Sequence, residues 1–188
     1  MSSPFAWPDG IFSARLIERL ASGRHIAVPR PFDPDQVQPA SLDLRLGEIA
    51  YRGRASFLPG PDETVESRLA ALTLHQMPLT GGAVLERGCV YIVPLLESLA
   101  LPPEVAAAAN PKSSTGRLDV FTRVIADRGR SFDTVPAGYR GPLYLEISPR
   151  TFPVLVRTGS RLAQMRFRSG SPRLSVEEHR ALHARETL

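Results

Sequence analysis

Three short segments carry polar side chains where strands or turns would ordinarily be plain. They are Gln38-Pro39-Ala40-Ser41-Leu42-Asp43-Leu44-Arg45-Leu46-Gly47, Asn110-Pro111-Lys112-Ser113-Ser114-Thr115-Gly116-Arg117-Leu118, and Gly138-Tyr139-Arg140-Gly141-Pro142-Leu143-Tyr144-Leu145-Glu146-Ile147-Ser148. In the second, two Ser, a Thr and a Gly lie between the cations Lys112 and Arg117. Such a turn can cradle phosphate oxygens, with amides and hydroxyls donating and Arg binding bidentately; it can equally be an ordinary polar turn. The Gly-x-x-x-x-Gly-Lys order of a Walker loop is absent. Lys112 is the only lysine among 23 basic residues, which hints that an amine is wanted there. In the third segment, strand alternation puts Tyr144, Glu146 and Ser148 on one face and Leu143, Leu145 and Ile147 on the other. Periodicity alone turns the first face to solvent, which makes Glu146 a surface residue. If that face lines a cleft, Glu146 becomes a usable general base, because partial burial favours proton uptake by a carboxylate.

Composition limits what else these residues can do. A chain of 188 residues, 43% hydrophobic and 22% charged, is long enough for one domain with a sizeable core. The 14 Gly and 18 Pro are too many turn-formers for a helical bundle and favour short strands. The net charge of +4 is mild and its basic residues are scattered, so no nucleic-acid surface is expected. The single cysteine, Cys89, excludes an internal disulfide and any multi-Cys zinc site, and reads as a small buried hydrophobe. His179 and His183 are spaced i, i+4, but no H-E-x-x-H accompanies them, so a solvated helix face is expected and no metal ligands are assigned. No run approaches 18 apolar residues, and Met1–Gly10 lacks the pattern of a secretory signal; the expectation is a cytoplasmic protein with no membrane association.

The elements that must position these residues follow from periodicity. Residues 9–21 predict an amphipathic helix capped by Asp9, with Leu16, Ile17 and Leu20 as its apolar stripe. Residues 25–39 read as an extended loop, Ala40–Ala50 as a strand, 59–66 as a loop and 66–75 as a short helix. Strands are expected at Val90–Leu96, Val120–Ile125, Leu143–Ile147, Phe152–Val156 and Leu162–Phe167, separated by Gly and Pro turn signals, the spacing of an all-β barrel or sandwich. Ser175-Val176-Glu177-Glu178 has the form of a capping box, so a last helix starts there. Trp7 and Phe12 read as packing residues. The arginines between 123 and 130 line a hairpin or a solvated surface, and Arg161, Arg166 and Arg168 need no function.

Read together, Ala-Ser-Leu-Asp-Leu-Arg, Lys-Ser-Ser-Thr-Gly-Arg, Gly-Tyr-Arg-Gly with its following strand Glu, and Gly159-Ser160-Arg161-Leu162-Ala163-Gln164 resemble, in order and spacing, the motifs of the dCTP deaminase and dUTPase superfamily. The resemblance covers roughly residues 36–168. It implies a mainly β, dUTPase-like distorted jelly-roll or β-clip barrel with short flanking helices, assembled as a homotrimer with active sites between subunits. It divides the chain into an N-terminal helix and loop (1–35), the β domain (36–170) and a C-terminal helix (171–188). dUTPases carry an apolar residue near the place of the strand Glu, so Glu146 is similar to the deaminase general base. The implied activity is hydrolysis of dCTP to dUTP and ammonia, with Mg2+ accompanying the triphosphate. Zinc deaminases need an H-x-E and P-C-x-x-C signature, so a single Cys leaves only zinc-free, Glu-based deamination.

By the same resemblance Ser113 holds the attacking water and Arg117 orients it, while Lys112, Ser114 and Gln164 meet the phosphates. The first of these positions is more usually Arg, and the two cations differ in bidentate contact. Asp133 and Tyr139 match the Asp and aromatic residue that read deoxyribose and base, but Asp133-Thr134-Val135-Pro136-Ala137-Gly138-Tyr139 has three extra residues between Asp and Gly. Relatives close the site with a tail bearing Tyr, Lys and Gln; after Phe167 this chain has none of them. The implied alternatives are a dUTPase-type pyrophosphatase and a non-catalytic half that binds nucleotide or trimerises. Together with the unfinished last helix, the tail implies the first half of a two-module protein whose second, C-terminal module is homologous.

Overall fold

A computed structural model describes residues 6–186. Its strands are β1 (Gly10–Ile11), β2 (Ile26–Ala27), β3 (Val37–Gln38), β4 (Ser41–Arg45), β5 (Ile49–Gly53), β6 (Thr73–Pro78), β7 (Ala83–Leu85), β8 (Val90–Ala100), β9 (Val105–Pro111), β10 (Val120–Ala126), β11 (Thr134–Val135), β12 (Arg140–Pro149), β13 (Val154–Val156) and β14 (Arg161–Ser169). Its helices are α1 (Ala14–Ser22), α2 (Val65–Leu72), α3 (Ser113–Arg117) and α4 (Val176–Glu186).

The strands form two antiparallel six-stranded sheets. The first runs β11-β9-β14-β4-β3 with β1 added to β14; the second runs β10-β12-β8-β5-β6 with β2 added to β8. β7 and β13 make a separate ribbon. The mainly β architecture with short flanking helices is as expected, but the sheets stay open instead of closing into a barrel. Each keeps two edges, and an isolated bridge, Leu46–Leu95, is one of the links between them. The chain alternates between sheets, from β4 to β5, from β8 to β9, from β9 through α3 to β10 and from β12 through β13 to β14; the first two motif segments lead into such crossings, whereas the third runs along β12. Gly47 makes the first crossing possible: its N–H donates to Pro94 O at 2.8 Å, and a Cβ there would lie 2.6 Å from that oxygen.

Local differences from the periodicity have pairing causes. The first helix begins at Ala14 with Ser13 as N-cap, not near Asp9, because Gly10 and Ile11 pair with Ser169 and Arg168. Helix α2 stops at Leu72 because the next six residues pair with β5. β9 was not visible as a strand: its alanine run favours helix. Seven of its residues pair with β14, and its burial alternates with Ala107 and Ala109 inward, a contrast that an all-alanine run hides.

The main core fills the space between the sheets and includes Trp7, Phe12, Ile17 and Leu20 from the N-terminal segment. Trp7 and Phe12 stack with ring centroids 5.4 Å apart, the packing role expected of them. A second cluster covers the opposite face of the β12 sheet, where Phe57, Val65 and Leu69 pack on Ile92, Ile125 and Tyr144. The strap that brings Phe57 there is tied down at its far end. Gly60 N donates to Gly129 O at 3.2 Å, Arg128 N to Glu63 O at 3.2 Å, and Val65 N to Asp127 Oδ1 at 2.7 Å. Helix α4 has the expected reciprocal cap, Ser175 N to Glu178 Oε2 at 2.7 Å and Glu178 N to Ser175 Oγ at 3.1 Å, and buries no residue. No helix among the described residues is long and apolar enough to cross a membrane.

Candidate active site

Glu146 is not a surface residue. It is 1% exposed, because β12 lies between β10 and β8 and the second cluster roofs the face that carries Tyr144, Glu146 and Ser148. Directly across the β10 pairing stands Arg123. Its Nη2 and Nε donate to Glu146 Oε1 at 2.6 and 3.1 Å, and Nη2 also donates to Ser56 Oγ of the strap at 2.7 Å. The guanidinium lies 3.6 Å from the Phe132 ring centroid and 4.9 Å from that of Phe121. Glu146 Oε2 is buried and has no hydrogen-bond partner among the described residues, and Ser148 Oγ, two positions along the same face, has none either. A buried carboxylate oxygen without a protein donor costs free energy, and a catalytic role is one reason to keep it; Asp43 Oδ1 on the other sheet is in the same condition. The sequence assigns Arg123 only to a hairpin or a solvated surface and gives it no part in the site. An arginine inside the apolar run Val120–Ala126 was the available signal, but which carboxylate it faces depends on the β10–β12 register.

Asp133 belongs to the same neighbourhood. Its Oδ1 accepts from Val124 N at 2.8 Å and its φ is +58°, a left-handed conformation that Asp tolerates better than most residues. Burial pushes its carboxyl above the usual range, against the hydrogen bond from Val124 and the nearby Arg123 charge; Glu146 adds to the rise. Tyr139 lies elsewhere. It is 9% exposed within the main core, donates to Pro142 O at 2.6 Å and accepts from Asp127 N at 3.0 Å. Burial pushes its phenol up to about 12. The ring packs against Gly141, where a Cβ would lie 2.9 Å from the Tyr139 hydroxyl.

The other predicted residues gather on the first sheet. Lys112 pairs with the buried Asp43, and Arg161 lies 3.7 Å from the same Asp43 Oδ2. Arg161 also grips Asp35 with two hydrogen bonds of 3.0 and 2.8 Å, which hold the exposed Asp35 carboxyl below its ordinary value. Gln164 is opposite Asp43 on one side and Asn110 on the other, and its Oε1 accepts from Ser41 Oγ at 3.3 Å. Ser113, Ser114 and Arg117 sit on the exposed single turn of α3, which leads from β9 of the first sheet into β10 of the second. Among the described residues no hydrogen bond or ion pair joins Glu146 to Ser113, Arg117, Lys112 or Gln164. The predicted constellation is therefore two groups in this chain, a carboxylate with its arginine on one sheet and a cationic, amide-bearing strip on the other. Among the described residues no cluster of three or more His, Cys, Asp or Glu could hold a metal ion.

A third polar group was also not foreseen. Arg45 and Glu97 are both fully buried and joined by Nε–Oε1 at 2.8 Å. Arg45 N donates to Glu97 Oε2 at 2.8 Å, Gln36 Nε2 donates to Oε1 at 2.8 Å, and the remaining guanidinium nitrogens donate to Pro31 O and Arg30 O at 2.9 and 3.2 Å. This network ties β4 of one sheet to β8 of the other and fixes the 30–36 loop.

The two open sheets thus carry a buried carboxylate on one and a cationic, amide-bearing strip on the other. Residues 8–171 match the 2'-deoxycytidine 5'-triphosphate deaminase (DCD) N-terminal domain, and the chain belongs to that family. It is 31% identical over 156 residues to the dCTP deaminase of Halorubrum lacusprofundi, covering 82% of this chain and 74% of that one. It is 32% identical over 158 residues to the dUMP-forming dCTP deaminase of Acidothermus cellulolyticus, covering 81% and 76%. The crystal structure of 2'-deoxycytidine 5'-triphosphate deaminase from Agrobacterium tumefaciens is 59% identical and superimposes with a TM-score of 0.91 over 96% of this chain. The match spans 54% of the Agrobacterium chain, so this chain accounts for about half the length of that relative.

Proposed function

We propose that the protein deaminates dCTP to dUTP and ammonia, with Glu146 as general base. The observation that carries this reading is the buried, partner-free Oε2 of Glu146 beside an Oε1 already bound by Arg123. In the reaction Glu146 takes a proton from water as the oxygen attacks C4 of cytosine and passes it to N3. It then takes the second proton from the new C4 hydroxyl and gives it to the departing amino group. The products are ammonia and a C4 carbonyl, and the carboxylate returns to its starting state. No zinc is invoked: the chain's single Cys cannot supply the paired thiolates of the zinc deaminases.

Lys112, Ser114 and Gln164 bind the triphosphate, Ser113 and Arg117 hold and orient the water, and Asp133 meets the sugar. Tyr139 supports the hairpin from within the core. The donors of the first-sheet strip are ammonium, guanidinium and amide groups, which suit phosphate oxygens; Mg2+ enters on the triphosphate as part of the substrate. The exposure of Ser113 and Arg117, together with their separation from Glu146, supports a site completed between subunits of a homotrimer. The length of the Agrobacterium relative supports a second, C-terminal module following α4.

The test is incubation of the full-length protein with dCTP and Mg2+, with chromatographic separation of dUTP and dUMP and Glu146→Gln as control. Release of dUTP that the variant abolishes is the expected result. Release of dUMP adds a dUTPase-type step, and nucleotide binding without turnover in the wild type overturns the catalytic reading in favour of a non-catalytic module.

A further inference from the structure

We infer that Arg123 is a positioning residue for the deamination chemistry: it occupies Glu146 Oε1 so that Oε2 alone receives the proton from water. The inference rests on the proposed deaminase reading and adds to it the residue that sets the carboxylate's orientation and the oxygen that reacts.

Arg123 is held on each accessible side. Two of its nitrogens donate to one carboxylate oxygen, at 2.6 and 3.1 Å, and Nη2 reaches the strap at Ser56 Oγ, 2.7 Å away. The Phe132 ring lies against the guanidinium at 3.6 Å and the Phe121 ring at 4.9 Å, so the cation rests between two aromatic faces. Asp133, next to Phe132, adds a second carboxylate within electrostatic reach of both Arg123 and Glu146. A guanidinium fixed by four elements (β10, the strap, the hairpin and β12) cannot follow the carboxylate if it turns, so it fixes the turn of the carboxylate itself. With Oε1 accepting two donors, the lone pairs free to take a proton are those of Oε2, which faces no protein donor. The water proton thus forms its bond to Oε2 as its bond to the water oxygen breaks. The same oxygen returns the proton to N3, and the second proton follows the same route to ammonia. Arg123 neither gains nor loses a proton.

The arrangement also gives the strap a purpose. Within the strap of residues 54–64, Ser56 is the contact through which its seating reaches the base, by way of Arg123.

The experiment compares wild type, Arg123→Lys, Arg123→Gln and Ser56→Ala in the full-length protein, measuring kcat and KM for dCTP with Mg2+ together with the melting temperature. Expected is a kcat about a hundredfold lower in Arg123→Gln, as for a displaced catalytic group, with KM within about twofold. Arg123→Lys recovers part of kcat because one charged donor still reaches Oε1, and Ser56→Ala loses a few-fold in kcat. Equal losses in Arg123→Lys and Arg123→Gln that follow the melting temperature would reduce Arg123 to a structural residue and overturn the inference. So would wild-type kcat in all variants. If Arg123→Gln does not fold, the split between kcat and KM in Arg123→Lys and Ser56→Ala decides. An inactive wild type is a separate result: it overturns the deaminase reading, and the inference with it.

Discussion

Among the described residues two arginine–glutamate pairs with a buried carboxylate differ in what is left over. Around Glu97 nothing is: Oε1 accepts from Arg45 and Gln36, Oε2 accepts from the Arg45 backbone, and the guanidinium spends its other donors on Pro31 and Arg30. Around Glu146 one oxygen has no partner, and Arg123 keeps 26% of its side chain exposed. Both pairs remove charge from water, and a buried pair alone says little about stability, since desolvation offsets much of the attraction. The satisfied pair sits where two sheets must be held in register, whereas the unsatisfied one sits under a strap on one sheet face. A carboxylate with both oxygens engaged is a fastener; one with an oxygen to spare is available for proton transfer.

Substitutions at the two carboxylates break this comparison in opposite directions. Glu146→Gln lowers deaminase activity about 10²–10⁴-fold, the range for loss of a general base. It changes unfolding free energy by no more than about 1 kcal/mol, because the amide oxygen still accepts from Arg123 and the exposed part of the arginine reaches water; chromatographic assay and urea melts check both halves. Glu97→Ala does the reverse, costing about 3–5 kcal/mol by leaving the Arg45 charge buried and unpaired, with turnover per folded molecule retained. The same melts read it. The double substitution Arg45→Met with Glu97→Leu costs less than Glu97→Ala, since an apolar pair removes both charges, and a double-mutant cycle gives the coupling.

The smallest effect is at Asp133. Its folded carboxyl has a raised pKa, so the ionised form at neutral pH is held at a cost that is absent below the unfolded value and grows as pH rises through the folded one. Asp133→Asn keeps an oxygen for Val124 N and loses that cost. It is therefore at least as stable as wild type at pH 7, with the difference shrinking toward pH ~4, while KM for dCTP rises if Asp133 meets the sugar. A variant less stable than wild type at pH 7 removes the assigned balance between burial and hydrogen bonding.

How much of this could be read from the residues differs by element. β10, β12, β13 and β14 were visible because branched and aromatic residues alternate between turn formers, and the capping box of α4 is written in Ser175 and Glu178. β9 was hidden because alanines carry no contrast between faces, and α1 was placed early because nothing in Gly10–Ile11 announces its pairing with β14. Among the candidate site residues, Lys112 and Gln164 were found as polar interruptions of motifs and come together around Asp43. Arg123, Glu97 and Gln36 were missed because their partners lie far along the chain: the Gln36–Glu97 bond spans 61 positions and the Arg123–Glu146 bond 23.

The sequence by itself determined the class of elements, the polar residues that interrupt them and the absence of paired cysteines, because these depend on local spacing and composition. It also placed Glu146, Tyr144 and Ser148 on one face of a strand, since alternation is a property of the extended backbone. Only the tertiary structure decided which way that face looks. A strand records two faces but not what covers them, and here the Phe57 strap and α2 turned the polar face of β12 into an interior. The same packing set Arg123 against one oxygen of Glu146 and left the other without a donor, a distinction made by register and burial and not by residue type.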